Sequence, residues 1–481
     1  MNWNEMKVII LGAARQGIAL ARYLVSQGAE VTINDKRPMY EFQAAQETLH
    51  QLVSSKGFKP VRWVCGGHPL ELLEHADLLC VSGGIPLDLQ FVIEARQRGI
   101  PLTNDSQIFM EVAPCTIIGI TGSAGKTTTT SLVGSIAKAA LHLDQKAAGF
   151  DKVWVGGNIG IPLITVIDEM HPDDLAIMEL SSFQLELMTC SPHIAAILNI
   201  TPNHLDRHKT MEAYTAAKSR ILTFQGLHDK AILNRDDEVS RKLAHEIHGS
   251  LITFGLKEPN VNISVGEASV VEEKYIFYRD GGLFLWEADR ETFILDRASI
   301  HLRGEHNLQN VLAACAIATA AGISVEAMRK GIDEFSGVPH RLEFVRTWGG
   351  ADWYNDSIAT APERAMAAIR TFEEPLVLLA GGRDKNLPWE EFARLVCERV
   401  DHLILFGEAA DIIENAIHQT CLMSHLFTLS RYSTMKEAVM AAAAMVEPKD
   451  VVLLSPGGTS FDEFHDFEER GECFKHLVMQ L

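Results

Sequence analysis

Residues 119–130 read GITGSAGKTTTT, and no other stretch restricts the fold as strongly. The apolar run Ile117–Ile120 enters a glycine-bearing loop that ends in Lys126 and Thr127. Beyond it Leu132, Ile136 and Ala140 recur on one helical side, with Val133, Ala137 and Leu141 alongside. Strand, loop and helix in that order make a βα unit, which belongs in a parallel sheet. The loop suits a nucleoside triphosphate. Gly122 and Gly125 let the backbone turn its N–H groups toward phosphate oxygens. The helix start adds its positive dipole end. Lys126 supplies a mobile cation, the Thr127 hydroxyl can ligate Mg2+, and Ser123 and Thr128 complete the nucleotide-contacting set. The long G-x-x-x-x-G-K form is not met, because Ile120 stands at its first glycine; the shorter T-G-x-x-G-K-T form is. ATP or GTP is implied, but not what is done with it.

The same alternation of short apolar runs and helical patterns covers the chain. Lys7–Leu11 is a strand, followed by a glycine turn (Gly12–Gly17), a helix around Ile18–Leu24 and a second strand, Val31–Ile33, that leads to Asp35. Leu78–Val81, Ala176–Met178, Ala195–Ile200, Ala231–Leu233, Leu376–Ala380, His402–Phe406 and Val451–Leu454 read as further strands. Residues 260–300 alternate β-branched and polar positions, which predicts a small antiparallel insert. A length of 481 residues suggests about three domains of ~150 residues, and boundaries fall near residues 111 and 337. The expected fold is α/β throughout.

Composition narrows the function classes. Lys plus Arg number 43 against 63 Asp plus Glu, a formal net charge of −20, which opposes nucleic acid and anionic membranes as partners. An anionic substrate must then be held by local cations and backbone N–H groups. The eight cysteines contain no C-x-x-C pair and read as reduced thiols. The start MNWNEMKVIILG shows no secretory signal, and no apolar run approaches the ~20 residues of a membrane span. A cytoplasmic protein without membrane insertion is expected.

Seven segments then carry a resemblance: GGNIG (156–160), MELSSFQLE (178–186), NITPNHLDRH (199–208), YTAAK (214–218), RGEHNLQN (303–310), PHRLE (339–343) and LLSPGGTSFDEFHDFEERG (453–471). In this order the chain resembles the Mur ligases, within them the group that adds glutamate to UDP-N-acetylmuramoyl-L-alanine in peptidoglycan precursor synthesis. The resemblance implies a Rossmann-like N-terminal domain (1–111) for the UDP-precursor. It implies a central domain with a P-loop ATPase-type parallel sheet (112–337) and a Rossmann-like C-terminal domain (338–481) for the amino acid. It implies a monomer whose work serves cell-wall biogenesis, cell shape and division. It also implies that the γ-phosphate of ATP passes to the precursor carboxylate, giving an acyl phosphate that the amine attacks. No protein nucleophile is needed, so positioning and electrostatics carry catalysis.

Roles follow residue by residue from the resemblance. Lys126 and Arg341 face the phosphates, the latter with a fork of donors suited to phosphate oxygens. Thr127, Glu179, His204 and Lys218 are assigned to Mg2+, two ions in all, with Lys218 carbamylated. Tyr214 and Lys218, four apart, share a helical face. Asn310 and His306 meet adenine, and Asp356 meets the ribose. Asp35, Lys36, Arg37 and Asn158 contact the UDP-precursor, and Thr360, Lys385, Ser460 and Phe467 contact glutamate.

Two departures matter. The usual Ser-Pro-Gly turn appears as Ser82-Gly83-Gly84. The usual N-D-S-K-A-T-N appears as Asn355-Asp356-Ser357-Ile358-Ala359-Thr360-Ala361, which removes a lysine near the amino-acid pocket. D-glutamate is the expected substrate; L-glutamate, or another Mur-type amino acid, is the alternative. An NAD enzyme is disfavoured because Ala14 replaces the second glycine of G-x-G-x-x-G. A nucleotide-regulated binding protein is disfavoured because Lys126, Thr127, Glu179, Lys218 and Arg341 are all present.

Overall fold

The computed structural model describes residues 2–258, 274–420 and 428–481. Backbone contacts separate two compact units: residues up to Ile300 with Glu305–Phe335, and His301–Gly304 with Ser336–Leu481. Three sheets are present, as the βα alternation predicts.

The first unit holds two sheets. In the first, the strands run Arg62–Cys65, Glu30–Asp35, Lys7–Leu11, Leu78–Val81 and Leu102–Thr103 in spatial order, all parallel. This is a Rossmann-like order whose direction of winding reverses beside Lys7–Leu11, and ligands of such sheets gather at that switch. Leu11 pairs with Asn34 on one side and Val81 on the other, so the turns after these strands come together.

The second sheet has nine strands among the described residues. Its parallel part carries Ser250–Gly255, Lys230–Asn234, Ile194–Ile197, Thr116–Thr121, Leu175–Glu179 and Val153–Gly157. The expected antiparallel insert is present as Lys274–Arg279, Gly282–Glu287 and Arg290–Asp296, joined as hairpins at one edge; residues 259–273 of that stretch lie outside the described residues. Helix Lys126–Leu143 buries Leu132, Val133, Ile136, Ala137 and Ala140 of the residues that the 3.6-residue period selects, and leaves Leu141 half-buried. Each large aliphatic side chain buried this way contributes about 1.5–3 kcal/mol. Gly331 lets helix Val325–Asp333 cross very close, since a Cβ there would lie 2.4 Å from the Ile136 Cα.

In the second unit Glu343–Trp348 pairs antiparallel with Ala351–Asn355. The sheet then continues in parallel through Val451–Gly457, Leu376–Gly381, His402–Phe406 and Thr428–Tyr432. No helix of the described residues is long and apolar enough to cross a membrane. Cys65, Cys80, Cys115, Cys190, Cys315 and Cys473 are free, whereas Cys397 is disulfide-bonded, which corrects the expectation of reduced thiols throughout. Sequence spacing does not decide a bridge; the separation of the Cα atoms in the fold does.

Candidate functional site

Strand Thr116–Thr121 lies between Leu175–Glu179 and Ile194–Ile197, with Ile120 opposite Glu179 and Thr121 opposite Ile197. The phosphate loop therefore starts beside Glu179. Gly125 sits in left-handed backbone (φ +83°), and a Cβ there would lie 2.2 Å from Asn310 Oδ1. A Cβ at Gly122 would lie 2.9 Å from that of Leu198. Both glycines are thus needed for close approach, Gly125 for its backbone angle as well.

The buried carboxylate of Glu179 gathers two other residues that the sequence singles out. Thr127 Oγ1 donates to Glu179 Oε2 at 2.9 Å, and Asn158 Nδ2 donates to Glu179 Oε1 at 2.8 Å. Glu179 is only 2% exposed. Gly157 makes this possible: at φ +100° it lies so close to Glu179 that a Cβ would sit 2.6 Å from its carbonyl oxygen.

Lys126 Nζ donates to the carbonyls of Gly122 (2.9 Å) and Ser123 (3.3 Å). Lys218, 1% exposed, donates to the Gly122 carbonyl at 2.8 Å, with its Nζ 4.8 Å from the Tyr214 ring centre. The shared helical face expected for Tyr214 and Lys218 is realised, and both are buried. Burial lowers the Lys218 pKa to about 7, helped by the charge of Lys126 and opposed by Glu179. Ser123 Oγ shares a hydrogen bond with the Tyr214 hydroxyl (3.0 Å) and donates to the Thr201 carbonyl. Thr128 is buried in the first helical turn.

A divalent cation fits this arrangement in a particular way. A hydroxyl and a carboxylate oxygen 2.9 Å apart are hard donors. Among the described residues no three His, Cys, Asp or Glu form a metal-binding group. A hydroxyl beside a carboxylate suits Mg2+, which keeps waters and shares phosphate oxygens. His204 has left-handed backbone (φ 52°) and packs edge-on against Phe183 at 5.1 Å.

Asn199 was not legible as a site residue. Its side chain grips the Ala124 peptide, accepting from the N–H at 2.9 Å and donating to the carbonyl at 3.1 Å. The apolar run expected to continue as a strand to Ile200 leaves the ladder after Ile197, and Asn199 turns to the loop. Beside it lies a small, partly open pocket, lined by Gly125, Leu198, Phe254, His306, Asn310 and Ala313 among others. Its apolar walls and few amide groups suit a flat base.

In the first sheet Asp35 accepts from Ala13 N–H at 2.8 Å and is forked by Arg37 at 3.1 and 2.9 Å. Burial pushes the Asp35 carboxyl up, but the Arg37 and backbone donors prevail and bring it down to about 2. Lys36 beside it is exposed.

The second unit gathers the remaining residues. Burial raises the Asp356 pKa to about 7, against the Ser455 hydroxyl (2.8 Å), the Leu342 N–H (3.2 Å) and the field of Arg341. Arg341 is exposed and lies between two left-handed residues, His340 (φ 62°) and Leu342 (φ 44°), a strained segment of the kind found at ligand clamps. Lys385 Nζ donates to Thr360 Oγ1 at 3.3 Å, so two of the four residues assigned to glutamate meet. Ser460 is buried, and the carbonyl of Phe467 accepts from Ser357 Oγ at 2.8 Å. Sequence reading missed Arg470, within the quoted segment 453–471. It is 0% exposed and donates to Ser357 Oγ (3.0 Å), Ser357 O (2.9 Å) and Gly458 O (3.1 Å).

Comparison with known proteins identifies the family. Residues 6–104 match the MurD-like N-terminal domain of Mur ligases, 120–318 the Mur ligase middle domain, and 340–458 the Mur ligase glutamate ligase domain. A UDP-N-acetylmuramoylalanine--D-glutamate ligase of Symbiobacterium thermophilum is 39% identical over 99% of this chain and 98% of its own length. A protein of the same name from Koribacter versatilis is 37% identical over 100% and 99%. Among solved structures, UDP-N-acetylmuramate-alanine ligase MurC from Thermotoga maritima has a TM-score of 0.55 at 18% identity, covering 99% of this chain and 100% of its own. MurF from Acinetobacter baumannii has a TM-score of 0.54 at 18% identity, covering 99% and 92%. These two show the shared fold; the sequence matches go further, and the chain belongs to the Mur ligases, in the family of UDP-N-acetylmuramoylalanine--D-glutamate ligases.

Proposed function

We propose that this chain joins D-glutamate to UDP-N-acetylmuramoyl-L-alanine at the expense of ATP, a cytoplasmic step in building the peptidoglycan precursor. The observation that carries the reading is the hydrogen-bonded set Thr127–Glu179–Asn158 at the mouth of the phosphate loop. In this reading it links the pair assigned to the cation with the amide assigned to the precursor.

In this reading the phosphate-loop backbone and Lys126 hold the ATP phosphates, and the helix start offsets their charge. Thr127 and Glu179, with His204 and Lys218 beside them in role, would hold Mg2+, which would supply the charge screening that lets the precursor carboxylate come up to the phosphates. The precursor carboxylate attacks the γ-phosphorus, the P–O bond to ADP breaks, and an acyl phosphate results. The glutamate amine then adds to the acyl carbon, losing a proton, and inorganic phosphate leaves. Asp35, Lys36 and Arg37 hold the uridine end of the precursor and Asn158 its reacting end. Arg341 serves the γ-phosphate, Asp356 the ribose and Asn310 the adenine. Lys385, Thr360, Ser460 and Phe467 take the amino acid, whose carboxylates need cations and several donors.

A Lys218 pKa near 7 supports carbamylation. The ammonium first gives up its proton, and the neutral amine then adds to CO2, forming an N–C bond and releasing a second proton, so that a cation beside Lys126 becomes an anion. The test of the whole reading is phosphate release that requires Mg2+, ATP, UDP-N-acetylmuramoyl-L-alanine and glutamate together, run with the D- and L-amino acid side by side. D-glutamate is expected to be the faster substrate. ATP hydrolysis indifferent to the precursor would overturn the assignment.

A further inference from the structure

The short helix Leu205–His208 sends Arg207 across to the turn that follows strand Leu78–Val81. Its guanidinium donates to the carbonyls of Gly83 at 3.1 Å, Gly84 at 3.3 Å and Ile85. Three successive carbonyls on one cation fix a turn far more firmly than neutral contacts do, because bonds from a charged donor are about twice as strong. The turn is tied on its other side too: Ser82 Oγ donates to the Gly12 carbonyl at 3.2 Å, and Ile85 N–H donates to the Ser82 carbonyl at 2.9 Å. With the Gly83 carbonyl held by Arg207, trans peptide geometry directs the Gly84 N–H away from the arginine. That is the orientation in which it can donate to an anionic oxygen.

Arg207 also begins a packed path that leads back to the phosphate loop. Its guanidinium lies 4.1 Å over the Phe183 ring. Phe183 stacks on His208 at 5.2 Å with only 3° between the ring planes. His208 packs 5.2 Å from Tyr214 and shares a hydrogen bond with Ser182 Oγ at 2.9 Å. Tyr214 in turn bonds Ser123 of the phosphate loop at 3.0 Å and supports Lys218.

We infer that Arg207 is a positioning residue for the proposed ligase reaction: it locks the Ser82–Ile85 turn to the Phe183–His208–Tyr214 stack, so that a UDP-linked precursor carried by the first sheet meets the phosphate loop at a fixed separation. The inference rests on the ligase reading, because only a reaction between a bound precursor and a bound triphosphate needs that separation held. A placement error of about 1 Å costs such a reaction about a hundredfold.

Two variants test it. Arg207→Lys keeps the charge but cannot fork across three carbonyls; Phe183→Leu keeps those bonds and removes the ring beneath the guanidinium. Steady-state kinetics of Arg207→Lys are expected to show the KM for UDP-N-acetylmuramoyl-L-alanine raised and kcat lowered, each by about tenfold, with the KM for ATP within about twofold. Phe183→Leu is expected to shift the same two constants by less. Equal rises in the KM for ATP and glutamate, or losses that follow the melting temperature alone, would mean that Arg207 is only structural. Calorimetry with the precursor alone reads the inference without turnover: weaker binding to Arg207→Lys than to the wild-type protein supports it, and equal binding overturns it. A wild-type protein that binds precursor and ATP but forms no amide overturns the ligase reading instead.

Discussion

Lys126 and Lys218 donate to one and the same acceptor, the carbonyl oxygen of Gly122, from 2.9 and 2.8 Å. Two ammonium groups on one oxygen repel, and Lys218, the more deeply buried, loses its proton more easily for it. A triphosphate would draw Lys126 outward and relieve the crowding, as would conversion of Lys218 to a carbamate.

The first prediction concerns that conversion. Turnover should fall as pH drops below about 7, where Lys218 becomes protonated and unreactive toward CO2. Protein equilibrated with 13C-labelled bicarbonate at pH 8 should show one protected carbamate carbon resonance that Lys218→Arg abolishes. Its absence at full activity would remove carbamylation from the mechanism. Stability gives an independent check. The folded-state pKa lies below the ordinary lysine value of 10.5, so between about 7 and 10.5 the unfolded chain binds the extra proton. Stability should therefore rise with pH across that window, and Lys218→Met should flatten the slope in urea titrations of CO2-free protein.

Gly125→Ala should separate nucleotide binding from precursor binding. The new methyl meets Asn310 Oδ1 at 2.2 Å, and a φ of +83° is strained for alanine. Such strain costs about 1–3 kcal/mol, and the loop is expected to move away from its phosphate-binding geometry. ATP affinity should fall at least about tenfold in calorimetry, at 1.4 kcal/mol per decade, while UDP-precursor affinity stays within about twofold. Parallel losses of both ligands would mean that the loop supports the first sheet as well.

Arg470→Ala should destabilise the second unit and weaken glutamate use together. Removing the guanidinium strands the Ser357 and Gly458 carbonyls in the interior, at about 1–3 kcal/mol each. Urea unfolding reads that loss. In the same variant the KM for glutamate should rise more than the KM for ATP, because the pinned segments lie next to Thr360, Ser460 and Phe467. An unchanged glutamate KM would leave Arg470 a folding residue only.

Much of the fold was legible because buried parallel strands are unbroken apolar runs. Leu376–Ala380 was read from its residues alone, and the strand is Leu376–Gly381. Edge strands escaped for the same reason. Arg62–Cys65 is exposed or only half-buried along its length, and Thr428–Tyr432 carries an arginine and polar neighbours, so neither shows an apolar run. At the site, Thr127, Glu179 and Asn158 were named from three separate motifs, and the fold brings them onto one carboxylate. Asn199, Arg207 and Arg470 were not given roles. An arginine in a polar stretch looks like surface, and what holds Arg470 is Ser357, 113 residues away, together with the Gly458 carbonyl. Local pattern carries no trace of such partners.

Arg470 belongs to helix Phe467–Gln480, which follows every strand of its sheet along the chain. A ribosome therefore delivers all six strands before the guanidinium that ties Ser357 to Gly458 exists. Domains made earlier fold first during synthesis, so the phosphate loop can fold on a nascent chain whose second unit still lacks its Arg470 ties.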